Sequence, residues 1–301
     1  GKYLLDNATD PGKHNSSDHC SYCVSGKRFV SSADPCVTCR SGTYQDQYKS
    51  AFLTCKQCPS GYFISDAGKD FGKHEVQGDC LQCAPGQFSN PGAQYCLECS
   101  VGRRSFVNVT TNQSSCLDCE AGYYQDDVGN SSCKACTVGK YQDIERKPFC
   151  LPCVPGLYQN LTAQNRCKIC GTGQYSNKTA LVGCYSCPKG WHQNGEGQAS
   201  CLPCVPGKYQ NLTAQVECFE CAKGHFSNDT ELIECYPCSN GKQAAANGAA
   251  SCLPCVPGKY QRLTGEEECF DCQVGTFSNE TELIECYSCP NGKQATAKGA
   301  A

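Results

Sequence analysis

A chain of 301 residues could hold two ordinary domains, but 32 of its residues are Cys, 30 Gly and 15 Pro. That leaves too little aliphatic material for one continuous core and marks a disulfide scaffold. Twenty-six basic and 29 acidic residues give a formal charge of −3 without long runs, which argues against a nucleic-acid partner and against a basic membrane-binding patch.

All 32 cysteines fall into sixteen C-x-x-C pairs, from Cys20/Cys23 to Cys286/Cys289. In residues 1–115 successive pairs are spaced irregularly, by 16, 19, 25, 16 and 20 residues. A long insertion, PSGYFISDAGKDFGKHEVQGD, separates Cys58 from Cys80, and a partner-specific loop would be built there. From Cys116 each pair follows the last by 17 residues, first through regular modules in 116–149. The segment at Cys150, CLPCVPGLYQNLTAQ, then returns at Cys201 and Cys252. This 51-residue period divides the remainder into super-repeats at 150–200, 201–251 and, incomplete, 252–301, each built of 17-residue modules. No stretch approaches the roughly eighteen apolar residues of a spanning helix, so no membrane span is expected in this segment.

Every module has Gly three residues after its second Cys, as at Gly42, Gly139, Gly207 and Gly275. Such a position calls for positive φ or close backbone approach. Eleven modules have Tyr or Phe two residues further on, including Tyr44, Phe88, Tyr124, Tyr158, Tyr209, Phe226 and Phe277. That ring is the candidate for each module's small core, stacked on a disulfide or on the next module. The thirteen residues between cysteine pairs, typified by VPGKYQNLTAQVE after Cys204, read as a short β-hairpin. A disulfide closing such a loop contributes about 3 kcal/mol, whereas ordering 17 residues costs about 25 kcal/mol. Stacking on both neighbours must supply the rest, as in a one-dimensional nearest-neighbour sum.

The recurring C-x-x-C-x-P-G-x-Y resembles the cysteine-rich repeats of tumour necrosis factor receptors and of the ephrin-receptor ectodomain. The resemblance covers the cysteine frame of nearly the whole chain. It implies a small disulfide-rich fold: an elongated tandem array of short β-hairpin modules stapled by a disulfide ladder, with very little helix. It also implies that the second Cys of each pair bonds to the first Cys of the next. Carried over, the rule pairs Cys23 with Cys36, Cys39 with Cys55, Cys58 with Cys80, Cys83 with Cys96 and Cys99 with Cys116. Further along it pairs Cys119 with Cys133, Cys136 with Cys150, Cys153 with Cys167, Cys170 with Cys184 and Cys187 with Cys201. The last five pairs are Cys204 with Cys218, Cys221 with Cys235, Cys238 with Cys252, Cys255 with Cys269 and Cys272 with Cys286. A like-with-like arrangement, such as Cys201 with Cys218 and Cys204 with Cys221, stays open, because sequence does not fix connectivity. The ladder rule leaves Cys20 and Cys289 to bridge to another chain or to cysteines beyond this stretch. With no Met, a start at Gly1-Lys2-Tyr3 and an end at Gly299-Ala300-Ala301 in phase with the repeat, the chain reads as a segment of a longer array.

Ten N-x-[ST] sequons occur, at Asn7, Asn15, Asn108, Asn112, Asn130, Asn160, Asn177, Asn211, Asn228 and Asn279. The five at Asn160, Asn177, Asn211, Asn228 and Asn279 lie midway between cysteines, at the expected exposed loop tip, where N-linked glycans would attach. Asn is also a good turn residue, but the accompanying Thr at each of these five sites is not explained by turn formation. Arg262 replaces Asn in the last super-repeat, and the third module of each 51-residue unit has a small tip, QAAANGAAS at 243–251 and QATAKGAA at 294–301. Such a tip, with Ala245 and Ala249, would serve as a lateral contact face or as a flexible end with no partner.

C-x-x-C pairs also suit structural zinc, four thiolates to an ion. That reading needs a reducing compartment, which the sequons oppose. No cofactor is expected. His14, His19, His74, His192 and His225 show no ligand spacing and read as surface or turn residues. Glu231, Glu234, Glu282 and Glu285 read as a solvated face, and Trp191 as local packing. No nucleophile elbow, phosphate loop or dinucleotide fingerprint is present, so the chain is not expected to be an enzyme. Two functions follow. One is a structural extracellular glycoprotein, a rod-like filament, appendage or surface coat that continues through copies of itself or flanking repeats. The alternative is a receptor or adhesin ectodomain binding a protein through its irregular N-terminal modules. Either route leads through the secretory pathway to the cell surface or beyond.

Overall fold

The computed structural model describes residues 2–4, 9–13, 15–31, 36–50, 53–108, 110 and 113–301. Among the described residues sixteen two-stranded sheets follow one another, most with two residues per strand. The longest pairs Arg103–Val107 with Ser114–Asp118. Helical structure among the described residues is limited to four single 3₁₀ turns, Pro11–Lys13, Ser17–His19, Phe71–Lys73 and Gln77–Asp79. A ladder of consecutive disulfides staples these hairpins in tandem.

Two compact units result. One comprises Gly1–Thr137, Tyr141–Leu151 and Thr162–Arg166; the other comprises Val138–Lys140, Pro152–Leu161 and Cys167–Ala301. In the first, the insertion supplies a small apolar cluster in which Tyr44 and Ile64 pack with the half-cystines Cys58 and Cys80, beside Tyr62.

The second unit repeats one local design, which the module after Cys204 illustrates. Pro206 and Gly207 form a β-turn closed by Lys208 N–H donating to the Val205 carbonyl at 3.0 Å. Pro fixes φ at the first central position, and Gly accepts φ of 86° at the second. The chain then enters Lys208–Tyr209, which pairs antiparallel with Phe219–Glu220 across the loop that the Cys204–Cys218 disulfide closes.

Tyr44 is buried as the sequence reading expects, but the centre of the regular modules differs from that expectation. Tyr124, Tyr158, Tyr209, Phe226 and Phe277 are only half-buried. The inside is filled by the second half-cystine, with Cys204 and Cys221 both at 0 % exposure, and by a polar residue immediately after the aromatic. That residue is Gln at 125, 142, 159, 193, 210 and 261, and Ser at 176, 227 and 278. A strand alternates its faces, so a ring on the outward side places the next residue inward.

Buried polar side chains require partners, and these have them. Gln210 Oε1 accepts from Leu212 N–H at 3.0 Å, while its Nε2 donates to the Glu217 carbonyl at 2.7 Å. The amide thus braces its own loop from within. Ser227 instead donates its hydroxyl backwards to the Lys208 carbonyl at 3.1 Å. In the small-tipped module Ala244 takes this place, and Gln243 Oε1, standing where the ring would be, accepts from Cys269 N–H.

Candidate functional site

The feature that the regular modules share is the way they lock together. Gly207 N–H donates to the Ser227 carbonyl at 2.8 Å, and Gln210 N–H to the Leu232 carbonyl at 3.0 Å, both in the next module. That module returns a bond from Glu231 N–H to the Cys204 carbonyl at 3.0 Å. The contact then reaches further. A β-carbon on Gly207 would sit 2.2 Å from the carbonyl oxygen of Gly248, two modules on. Gly173 meets Ala214 and Gly190 meets Glu231 in the same way, at 2.2 and 2.1 Å. Both readings of the repeated Gly therefore hold, positive φ and close backbone approach, but the lock extends past the nearest neighbour that loop energetics suggested.

In the 17-residue modules the residue pressed against the Gly is itself in left-handed backbone. Ala163, Ala180, Ala214, Glu231 and Glu282 have φ of 58–65°, and Gly197, Gly248 and Gly265 occupy the same place in other modules. Left-handed backbone costs an L residue about 1–2 kcal/mol. The surroundings hold it: Ala214 donates its N–H to the Cys187 carbonyl at 2.8 Å while its own carbonyl meets Gly173.

The disulfides run from each second Cys to the first Cys of the next pair, Cys23–Cys36 through Cys272–Cys286, with Cα separations of 5.5 to 5.8 Å. Thirty cysteines are paired in this way, in the ladder and not the like-with-like arrangement. Cys20 and Cys289 are free thiols, both partly exposed. Among the described residues no group of three or more His, Cys, Asp or Glu side chains gathers as metal ligands would.

The sequon residues Asn15, Asn108, Asn160, Asn177, Asn211, Asn228 and Asn279 are exposed, and Asn130 is half-buried. Asn7 and Asn112 lie outside the described residues, as does His14. Beside the regular tips are five ring pairs formed across the hairpins: Tyr175–Tyr185, Tyr209–Phe219, Phe226–Tyr236, Tyr260–Phe270 and Phe277–Tyr287, with centroids 5.7 to 6.2 Å apart.

One expected surface residue is not on the surface. His74, in the insertion after Cys58, is completely buried. Its Nδ1 lies 2.6 Å from the Thr43 carbonyl and its Nε2 3.0 Å from Asp66 Oδ2. The His74 ring, followed by backbone N–H groups of Asp70, Lys69 and Gly68, holds the Asp66 carboxyl down at about 2. A polar link thus ties the insertion to the preceding hairpin. Near it, a groove of about 480 Å³ is bounded by Ile64, Asp66, Lys73, Asp79 and Leu81. Among the described residues no helix is long and apolar enough to cross a membrane.

Tandem short hairpins joined by consecutive cystines define a class of cysteine-rich repeat protein of extracellular type. The family described as tyrosine-protein kinase ephrin type A/B receptor-like matches residues 26–69, 105–146, 173–213 and 258–301, together more than half of the chain. The chain belongs to that family. It is also similar to cysteine repeat modular protein 2 of Tetrahymena thermophila, 32% identical over 117 residues that make up 36% of this chain and 5% of the relative. A mouse protein, signal peptide, CUB and EGF-like domain-containing protein 2, is 26% identical over 155 residues, 39% of this chain and 15% of the relative. The chain therefore spans only a small part of the length of these relatives.

Proposed function

We propose that this chain is a structural extracellular glycoprotein whose repeats build a rod-like filament, appendage or surface coat. The observation that carries the reading is the two-module lock, in which Gly207 engages both the module at Ser227 and the one at Gly248, repeated with a cystine in successive modules such as those of Gly173 and Gly190. Such an array resists local opening because each tip is held by two predecessors as well as by a covalent bond. In this reading exposed sequon residues carry N-linked glycans, and the 51-residue unit is the period of that coat. Cys20 and Cys289 bridge to copies of this chain or to flanking repeats. Electron microscopy of the native assembly should show long uniform fibres or a regular layer, and Cys289→Ser should lower the share of covalent multimers on a non-reducing gel. Discrete monomers under both conditions would overturn it.

A second reading, a receptor or adhesin ectodomain, is favoured by one feature: the insertion fastened through His74 and Asp66 supplies the irregular surface that the uniform modules lack. Saturable capture of a single protein species, lost on trimming residues 65–79, would favour this reading over the first.

A further inference from the structure

From the four ring pairs beside tip sequons we infer that each is a platform for the first sugar of the glycan on the adjacent Asn. The inference rests on the glycoprotein reading above and deepens it. The position seven residues after the second Cys and the position just after the next first Cys face each other across the loop. In three modules their side chains meet directly: Asp46 with Lys56 at 2.6 Å, Asp126 with Lys134 at 2.5 Å, and Asn160 with Lys168 at 2.8 Å. The same two positions hold Asn177 and Tyr185, Asn211 and Phe219, Asn228 and Tyr236, and Asn279 and Tyr287. A substituent on each of these Asn side chains is therefore placed beside an aromatic ring.

The distribution of ring pairs follows the sequons. Four of the five pairs stand next to a tip sequon. The fifth, Tyr260–Phe270, stands next to Arg262, whose guanidinium carbon lies 5.9 Å from the Tyr260 ring centroid. Where Asn is absent, the side chain in its place covers the ring itself. Three other tips without a sequon, at Asp143, Asn194 and Ala245, have Leu151, Leu202 and Leu253 opposite, which supply no second ring. Among the five tip sequons, Asn160, opposite Lys168, is the one without a platform.

The rings have surface to offer. Tyr185, Phe219, Tyr236 and Tyr287 are 45–50 % exposed although each is already paired on one side. A pyranose ring presents a face of C–H groups, and covering an aromatic with it removes apolar area from water. Because the sugar is tethered to Asn211 by its own bond, it meets Phe219 at high effective concentration. The expected occupant is an N-acetylhexosamine.

The test uses the whole chain secreted from a eukaryotic cell, with Asn211→Gln and Phe219→Leu made singly and together. Leu at this position is already accepted in the modules with Leu202 and Leu253, so the second variant is expected to fold. Occupancy is read by peptide mass, and amide exchange is followed over residues 209–220. With Asn211 occupied, Asn211→Gln should speed exchange there roughly threefold or more and should do so no longer in the Phe219→Leu background. Occupied Asn211 with additive effects overturns the platform and leaves the glycoprotein reading intact. Absence of sugar from all ten sequons overturns the glycoprotein reading and this inference with it.

Discussion

The carbonyl oxygen of Gly248 lies 2.2 Å from the point that a β-carbon on Gly207 would occupy, and both residues have positive φ. Gly207→Ala therefore carries two costs, about 1–2 kcal/mol for left-handed backbone and about 1–3 kcal/mol for displacing packed neighbours. Gly265→Ala carries only the first, because at φ of 75° its β-carbon would meet nothing nearer than 3.5 Å, and Ala already stands at the same place as Ala214. Amide exchange should show the larger loss around Gly207 and Gly248. Equal losses at the two sites would remove the two-module lock from the account.

Gln210→Ala leaves the Leu212 N–H and the Glu217 carbonyl without the partners that the side chain supplies. Two lost internal hydrogen bonds should cost about 2 kcal/mol or more. The loss should be local, seen as faster proteolytic cleavage within residues 211–217 while the Cys204–Cys218 bridge keeps the fragments joined. Unchanged cleavage would mean that the amide does not brace the loop.

Acid should loosen the insertion at an unusually low pH. Asp66 is held at about 2 by His74 first and backbone N–H groups second, against 3.8 for an unperturbed carboxyl. A depressed carboxyl stabilises the fold above the unfolded value and loses that contribution as pH falls towards the folded one. The window is thus between about pH 4 and pH 2. The Lys69 amide resonance, whose N–H is bonded to Asp66 Oδ2, should titrate near the lower value, shift upward in His74→Phe and show no such step in Asp66→Asn. A wild-type midpoint near 3.8 would refute the link.

Arg262→Asn completes an N-L-T sequon beside the Tyr260–Phe270 pair. The secreted variant should gain one glycan, read by peptide mass. Failure at Asn-bearing position 262 while Asn211 is occupied would show that the tip geometry is not equivalent between super-repeats.

Much of this was legible in the residues. Cysteine spacing and the P-G-x-Y opening led to tandem hairpins on a disulfide ladder, and the repeated Gly pointed to both its backbone angle and its close contact. The buried amide of Gln210 was not legible, because Gln in a polar loop looks like any turn residue until the strand's alternation turns it inward. Ala214 hid a left-handed position, since Gly, which would have marked it, stands there in only some modules. The reach from Gly207 to Gly248 was also invisible: a 17-residue period fixes how often a module recurs and says nothing of how many successors it touches. His74 was misread because its partners, Asp66 and the Thr43 carbonyl, lie eight and 31 residues away.

The ladder also decides where tension travels. A pull on the chain enters at Cys201, crosses two residues to Cys204 and leaves through sulfur to Cys218, from which the step repeats. Residues 205–217 hang outside that covalent route, and this loop is shielded from stretching while the bridge is closed. Tensile strength and surface character are therefore set by different residues, and a tip can gain, lose or exchange what it displays without weakening the cable beneath it.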